Sequence, residues 1–182
     1  WQGFVNTAKA VFPNATFVVD RFHFFSHLNK ALDQQRKSLR RQFKDIEEFK
    51  RLKWVLLKNA EDLSEEQKKK LAFAFLLAPQ LKMFYEYKEK FRSIFNQPLT
   101  KEAGEIALNQ WIEEAKAMKN KYLNNFLYTL DNWKDCILNY FTHRVTTSII
   151  EGINNSIKTV KRMGYGFRNF ANFKQRVLMY FA

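Results

Sequence analysis

Residues 12–36 read FPNATFVVDRFHFFSHLNKALDQQR, and this stretch decides the fold class that the sequence predicts. After a helix-breaking Pro-Asn pair, ATFVVD is a short β-branched and aromatic run, typical of a strand ending at Asp20. From residue 21 to about 42, apolar side chains recur at helical spacing, as they also do over residues 1–12. Helix, strand and helix in this order predict a piece of an α/β layer.

The composition predicts a packed and mostly helical chain. Of the 182 residues, 46% are apolar and 16% aromatic, which excludes the disordered class. Gly and Pro are sparse, and residues 43–140 carry only helical signals. We therefore expect a helical insertion at 43–140, flanked by core parts at 1–42 and 141–182.

The net charge of +13 is concentrated at the two ends of the chain. Residues 1–60 carry 12 basic and 5 acidic side chains, residues 61–144 carry 13 and 12, and residues 145–182 carry 6 and 1. If the two ends meet, they form a positive surface suited to a polyanion, with nucleic acid as the default partner. A merely solvated basic face is the alternative.

Cysteine content and hydropathy limit the remaining classes. Cys136 is the only cysteine, so an internal disulfide and a multi-cysteine zinc site are excluded. No apolar run approaches the roughly 18–20 residues that cross a bilayer, so we expect no membrane partner and a reducing cytoplasmic setting. The chain begins at Trp1, and we expect it to be a fragment of a longer protein.

The segment Thr146–Lys158, TTSIIEGINNSIK, places one acidic residue in a basic region. Ser148 and Glu151 have the spacing of a capping box, which would make Glu151 a helix-start residue. Gly152 is costly in a first turn unless something approaches the backbone closely. A carboxylate followed by cations at helical spacing instead suits a metal ligand beside a phosphate backbone.

Two further motifs each have two interpretations. Asp20-x-x-His23 lies where open α/β sheets place sites, and His27 adds an H-x-x-x-H pair whose spacing is compatible with metal binding. The Glu of the H-E-x-x-H zinc-protease motif is absent, since Phe24 follows His23, so Asp20 as a helix cap and His23 as a core residue are the more ordinary interpretations. In GYGFRNF, residues 164–170, aromatic and basic groups alternate on a turn. They can stack on bases and contact phosphates, or the aromatics can pack under the turn.

Two segments together resemble a known family. Residues 12–36 are similar to an insertion-sequence transposase segment, F-P-N-A-x-x-x-x-D-R-F-H followed by a helix. Residues 148–178, SIIEGINNSIKTVKRMGYGFRNFANFKQRVL, resemble the C-terminal block of the same proteins. Both point to the DDE transposases of the ISL-three insertion-sequence group. The resemblance implies a partial ribonuclease-H-like core, one strand plus flanking helices, with a large all-helical insertion.

The family resemblance also implies an active site. Three acids would bind two magnesium or manganese ions, with Glu151 as the third acid and a metal ligand. Asp20 and His23 match a D-x-x-H signature that we interpret as a supporting layer. The second acid is expected just upstream of Trp1, with Asp20 as the alternative. DNA would be contacted by the following residues: Asn154, Asn155, Lys158, Lys161, Arg162, Tyr165 and Arg168.

The predicted activity is cleavage of DNA at transposon ends and strand transfer into target DNA, in a bacterial cytoplasm. With one of three acids, we expect these 182 residues alone to be inactive and to bind no catalytic metal. The partners would be terminal repeats and target DNA, and a homo-oligomer on DNA stays open. The alternative from another class is a non-catalytic helical nucleic-acid-binding module.

Overall fold

Helices account for all regular secondary structure in residues 2–39, 42–43 and 45–181, which the computed structural model describes. The chain divides into two compact units, one ending at Arg144 and one beginning at Val145. The first unit contains α1 (Gln2–Val11), α2 (Arg21–Leu39), α3 (Leu52–Leu57), α4 (Glu65–Leu77), α5 (Pro79–Asn96), α6 (Lys101–Ala117) and α7 (Asn124–His143). The second unit contains α8 (Ser148–Met163) and α9 (Phe170–Phe181).

Local signals set several of the helix ends. Ser64 forms a full capping box with Gln67 at the start of α4, since each side chain bonds the backbone N–H of the other. The Thr100 side chain accepts from the Ala103 N–H and caps α6. Pro79 occupies the first turn of α5, where its missing N–H costs nothing. Each of these helix starts depends on residues within a single turn.

The core of the first unit is an aromatic cluster between four helices. α2 packs against α5 and α7, while α6 packs against α5 and α7. The six rings that meet there are buried: Phe24, Phe91, Phe95, Trp111, Phe126 and Phe141. Trp111 also donates its indole N–H to the Tyr87 carbonyl at 3.0 Å, so its one polar group is satisfied.

The strand predicted for ATFVVD, residues 15–20, is not formed. Residues 15–20 are irregular, and the described part of the chain offers no strand beside them. The Val19 N–H instead donates to the Cys136 carbonyl on α7 at 3.1 Å, and the Asn139 side chain donates to the Phe17 carbonyl at 2.9 Å. Helix α7 therefore takes the place of a neighbouring strand, and the prediction of a strand was wrong for these residues.

The mostly helical class is confirmed, while the finer division of the chain stays a prediction. Helix α2, expected in the core part, packs against α5 and α7 of the expected insertion. The boundary found between the units falls at residue 144. Among the described residues, no helix is long and apolar enough to cross a membrane.

Candidate functional site

Helix α8 carries most of the predicted site residues on one face. At 3.6 residues per turn, positions 151, 155, 158 and 162 follow one another along a single line, with 154 and 161 beside it. All six side chains are exposed. The face consists of Glu151, Asn154, Asn155, Lys158, Lys161 and Arg162. Apolar side chains, including Ile153 and the buried Val160, occupy the opposite side.

Glu151 lies in the first turn of α8, but the predicted capping box is not formed. The helix begins at Ser148, and Thr147, in the N-cap position, makes no side-chain capping bond. The Thr147 hydroxyl instead donates to the Glu151 carboxylate at 3.1 Å. The capping-box interpretation of Ser148 and Glu151 is therefore wrong. The Glu151 side chain is exposed, and its negative charge is favourable beside the positive end of the helix dipole.

Gly152 beside this acid has no packing role within the described residues. A Cβ atom placed on Gly152 would meet no heavy atom within 4 Å. Glycine inside a helix costs roughly 1 kcal/mol relative to alanine. The backbone next to Glu151 is thus open to close approach from outside the chain.

The second unit has many cations and almost nothing to neutralise them. Residues 145–182 contain six basic residues, and Glu151 is the single acid. The ion pairs of the described residues all lie between positions 33 and 134, so none involves these cations. The cations concerned are Lys158, Lys161, Arg162, Arg168, Lys174 and Arg176. Lys174 and Arg176 belong to none of the motifs described above, and only the charge of residues 145–182 had included them.

The turn between α8 and α9 separates the aromatic residues of GYGFRNF. Phe167 lies under the turn, with its ring 5.2 Å from that of Phe173 and so close to Gly164 that a Cβ there would be 2.4 Å away. Tyr165 is fully exposed, and Arg168 is exposed as well. The interpretation that the aromatics pack under the turn therefore describes Phe167. The interpretation that they are exposed for contact with a nucleic acid describes Tyr165.

Asp20 and His23 belong to the first unit, at the start of α2. The Asp20 carboxylate accepts a hydrogen bond from the Phe22 N–H at 2.9 Å. The backbone carbonyl of Asp20 accepts a second bond from the His23 N–H at 3.0 Å. Because its carboxylate bonds an N–H of the first turn, Asp20 caps α2 and fixes that turn. The Asp20 side chain is also buried. Asp20 lies in the first unit and Glu151 lies in the second.

His23 and His27 line a cavity of about 230 Å³ between α2 and α7. Thr129 and Trp133 from α7 form its other polar and aromatic walls. Burial, together with Lys30 and His23, lowers the pKa of His27 and disfavours its charged form. No local pattern linked Trp133 to the histidines, because it lies more than 100 residues further along the chain.

The described residues contain no cluster of three or more His, Cys, Asp or Glu side chains that could hold a metal ion. Glu151 offers the hard oxygen donor that magnesium prefers. A single carboxylate fits as one ligand of such an ion and leaves the rest of the coordination sphere to other groups.

Comparison with known proteins identifies the family. The family model for DDE transposases of the ISL-three group, described as "Transposase", matches residues 1–177. The chain belongs to this family. It is 29% identical over 162 residues to the transposase for insertion sequence element IS1001 of Bordetella parapertussis. It is 27% identical over 182 residues to the transposase for IS1557 of Mycobacterium tuberculosis.

Each comparison covers 86% of this ISL-three transposase chain and 40% of the relative. The chain thus spans 40% of the length of these curated relatives. No solved structure matches it.

Proposed function

We propose that this chain is the C-terminal part of the catalytic domain of a transposase that cuts DNA at transposon ends and joins them to target DNA. The observation that carries the proposal is the polar face of α8, with one exposed acid at its head and unpaired cations behind it. Family membership supplies the reaction class. Transposon terminal repeats and target DNA are the proposed partners.

Glu151 is the proposed catalytic acid and metal ligand. Bound magnesium or manganese ions would stabilise the attacking and leaving oxygens of the phosphodiester. The Glu151 carboxylate supplies one oxygen ligand from an exposed position. Gly152 leaves the adjacent backbone uncovered, so that the DNA strand can approach the acid closely.

The cations of α8 would hold the phosphates beside the reacting one. At 1.5 Å per residue, Lys158 lies about 10 Å and Arg162 about 16 Å along the helix from Glu151. With α8 along the strand, the two cations would therefore reach phosphates successively further from the scissile one. Lys161, Asn154 and Asn155 flank this track, and Arg168 extends it into the turn.

We assign the other two acids, and a ribonuclease-H-like core that presents them, to parts of the protein other than α8. Asp20 and His23 are proposed to support that layer, because the Asp20 cap fixes the first turn of α2 and with it the position of His23. The 182 residues alone are then expected to bind DNA without cutting it.

The test is a Glu151→Gln substitution in the full-length transposase. It should abolish magnesium-dependent cleavage of a transposon-end duplex while leaving DNA affinity within about twofold, because it removes a ligand and keeps the cations. Glu66→Gln is the matched control, an exposed carboxylate on α4 in the first unit, and should retain full cleavage.

Two outcomes would contradict the proposal. Cleavage that survives Glu151→Gln would remove Glu151 from the active site. Salt-sensitive DNA binding without any cleavage by the intact full-length protein would favour the alternative, a non-catalytic nucleic-acid-binding module.

A further inference from the structure

The tip of the hairpin formed by α8 and α9 presents one aromatic ring that the fold does not use. Phe167 and Phe173 pack against each other beneath the turn, with their rings tilted by 46°. The Tyr165 side chain, two residues from Phe167, is 100% exposed. A large aromatic ring without packing neighbours contributes nothing to the stability of the hairpin.

The backbone at Tyr165 makes this residue type more unusual. Tyr165 follows the C-cap Gly164 and has φ +48°, and its N–H donates to the Arg162 carbonyl at 3.0 Å. This left-handed position after a helix is normally occupied by Gly, or else by Asn. A bulky residue with positive φ is strained, and such strain concentrates at functional sites.

The groups around the tip define what could bind there. Arg162 precedes Tyr165 and Arg168 follows it, both exposed and outside any ion pair of the described residues. Gly166, with φ +111°, adds no side chain that could cover the ring, and a Cβ there would meet nothing within 4 Å. An exposed π-face, with one unpaired cation three residues before it and another three residues after it in the sequence, is complementary to a nucleobase and its flanking phosphates.

We propose that Tyr165 stacks on an unpaired base of the DNA strand whose phosphates lie along α8. This inference rests on the proposed DNA contact of α8 and names the form of DNA that the site recognises. Bases inside an intact duplex stack on each other and present only their edges, so the ring needs a single-stranded or frayed segment. The hairpin tip therefore distinguishes DNA with an unpaired end from fully paired DNA.

The experiment compares three variants of the full-length transposase on two DNAs. One DNA is a transposon-end duplex with a four-nucleotide single-stranded overhang, and the other is the same duplex fully paired. Tyr165→Asn keeps a residue suited to positive φ and removes the ring, while Tyr165→Phe keeps the ring. Tyr128→Gln is the control, because Tyr128 is 72% exposed on α7 of the other unit.

Fluorescence anisotropy should show the Tyr165→Asn variant binding the overhang DNA roughly 5- to 150-fold more weakly, the range expected for one lost base stack. Its affinity for the fully paired duplex should stay within twofold. Tyr165→Phe and Tyr128→Gln should match the wild type on both DNAs. A 2-aminopurine base in the overhang should be quenched by the wild type and by Tyr165→Phe, but not by Tyr165→Asn.

Three results would overturn the inference. The first is an unchanged affinity of Tyr165→Asn for the overhang DNA, and the second is an equal loss on both DNAs. The third is a lower thermal stability of full-length Tyr165→Asn and Tyr165→Phe, which would show that the phenol packs within the protein. If cleavage still depends on Glu151 in any of these cases, the proposed function stands and only the stacking role fails.

Discussion

Replacement of Lys88 by methionine should destabilise the first unit severely. The Lys88 side chain is only 3% exposed, and its Nζ donates to the carbonyls of Leu56 at 2.9 Å and Lys58 at 2.6 Å. It also lies 2.8 Å from the Glu89 carboxylate. These contacts join the end of α3 to α5, across about 30 residues of sequence.

The magnitude follows from the groups that Lys88→Met leaves behind. Methionine fills a similar volume, so the cavity term is small. Two carbonyls lose a charged donor, each such bond being worth about 1.5–3 kcal/mol, while Glu89 keeps its pairing with Arg92 at 2.8 Å. Methionine carries no charge, so the variant does not pay the cost of removing an ammonium group from water, and this offsets part of the loss. We expect a decrease of about 2–4 kcal/mol in the free energy of unfolding.

Urea unfolding followed by circular dichroism measures this difference directly. Lys50→Met is the matched control, since Lys50 pairs with Glu47 on the surface and both side chains are more than half exposed. That exposed pair is screened by solvent and should contribute little to the free energy of unfolding. If Lys88→Met destabilises the chain by less than 1 kcal/mol beyond the control, Lys88 is not the structural connection described above.

Two further predictions concern a buried phenol and the cations proposed to bind DNA. Burial, with a contribution from Glu89, raises the pKa of Tyr85 to about 12, and its hydroxyl has no hydrogen-bond partner in the described residues. From pH 10 to about 12 the unfolded phenol ionises while the folded one does not, so stability falls as pH rises. Tyr85→Phe should abolish that part of the pH dependence and be about as stable as the wild type, or up to 1 kcal/mol more, in urea titrations at pH 8 and 11. Replacement of each proposed phosphate-binding cation in turn by glutamine, in the full-length protein, should make a plot of log affinity against log salt shallower by about 0.9. An unchanged slope would exclude that phosphate contact. The positions are Lys158, Lys161, Arg162 and Arg168.

The helix starts were predictable because they depend on residues within one turn. The Ser64 capping box and the Thr100 cap each join groups three residues apart. The same short range explains why the polar face of α8 could be predicted from helical spacing around Glu151. It does not explain the first turn of α8, where the hydroxyl of Thr147 bonds the carboxylate instead of Ser148 forming the box.

The failed strand shows the limit of such patterns. The sequence ATFVVD has the residue types of a strand, but a strand exists only beside another one. The partner of this segment is α7, and the Asn139 to Phe17 bond joins residues 122 positions apart. The cavity between His23 and Trp133 depends on the same packing of α2 against α7.

The sequence by itself determined the family, the helical content, the basic second unit and the position of Glu151 at the head of a cationic helix face. These properties follow from residue identity and from spacings of three or four residues. Tertiary structure decided that Lys88 is buried against two carbonyls, that Phe167 packs beneath the hairpin turn and that Tyr165 points into solvent. Burial depends on which distant elements meet, and two aromatic residues two positions apart carry the same local signal until the chain has folded around one of them.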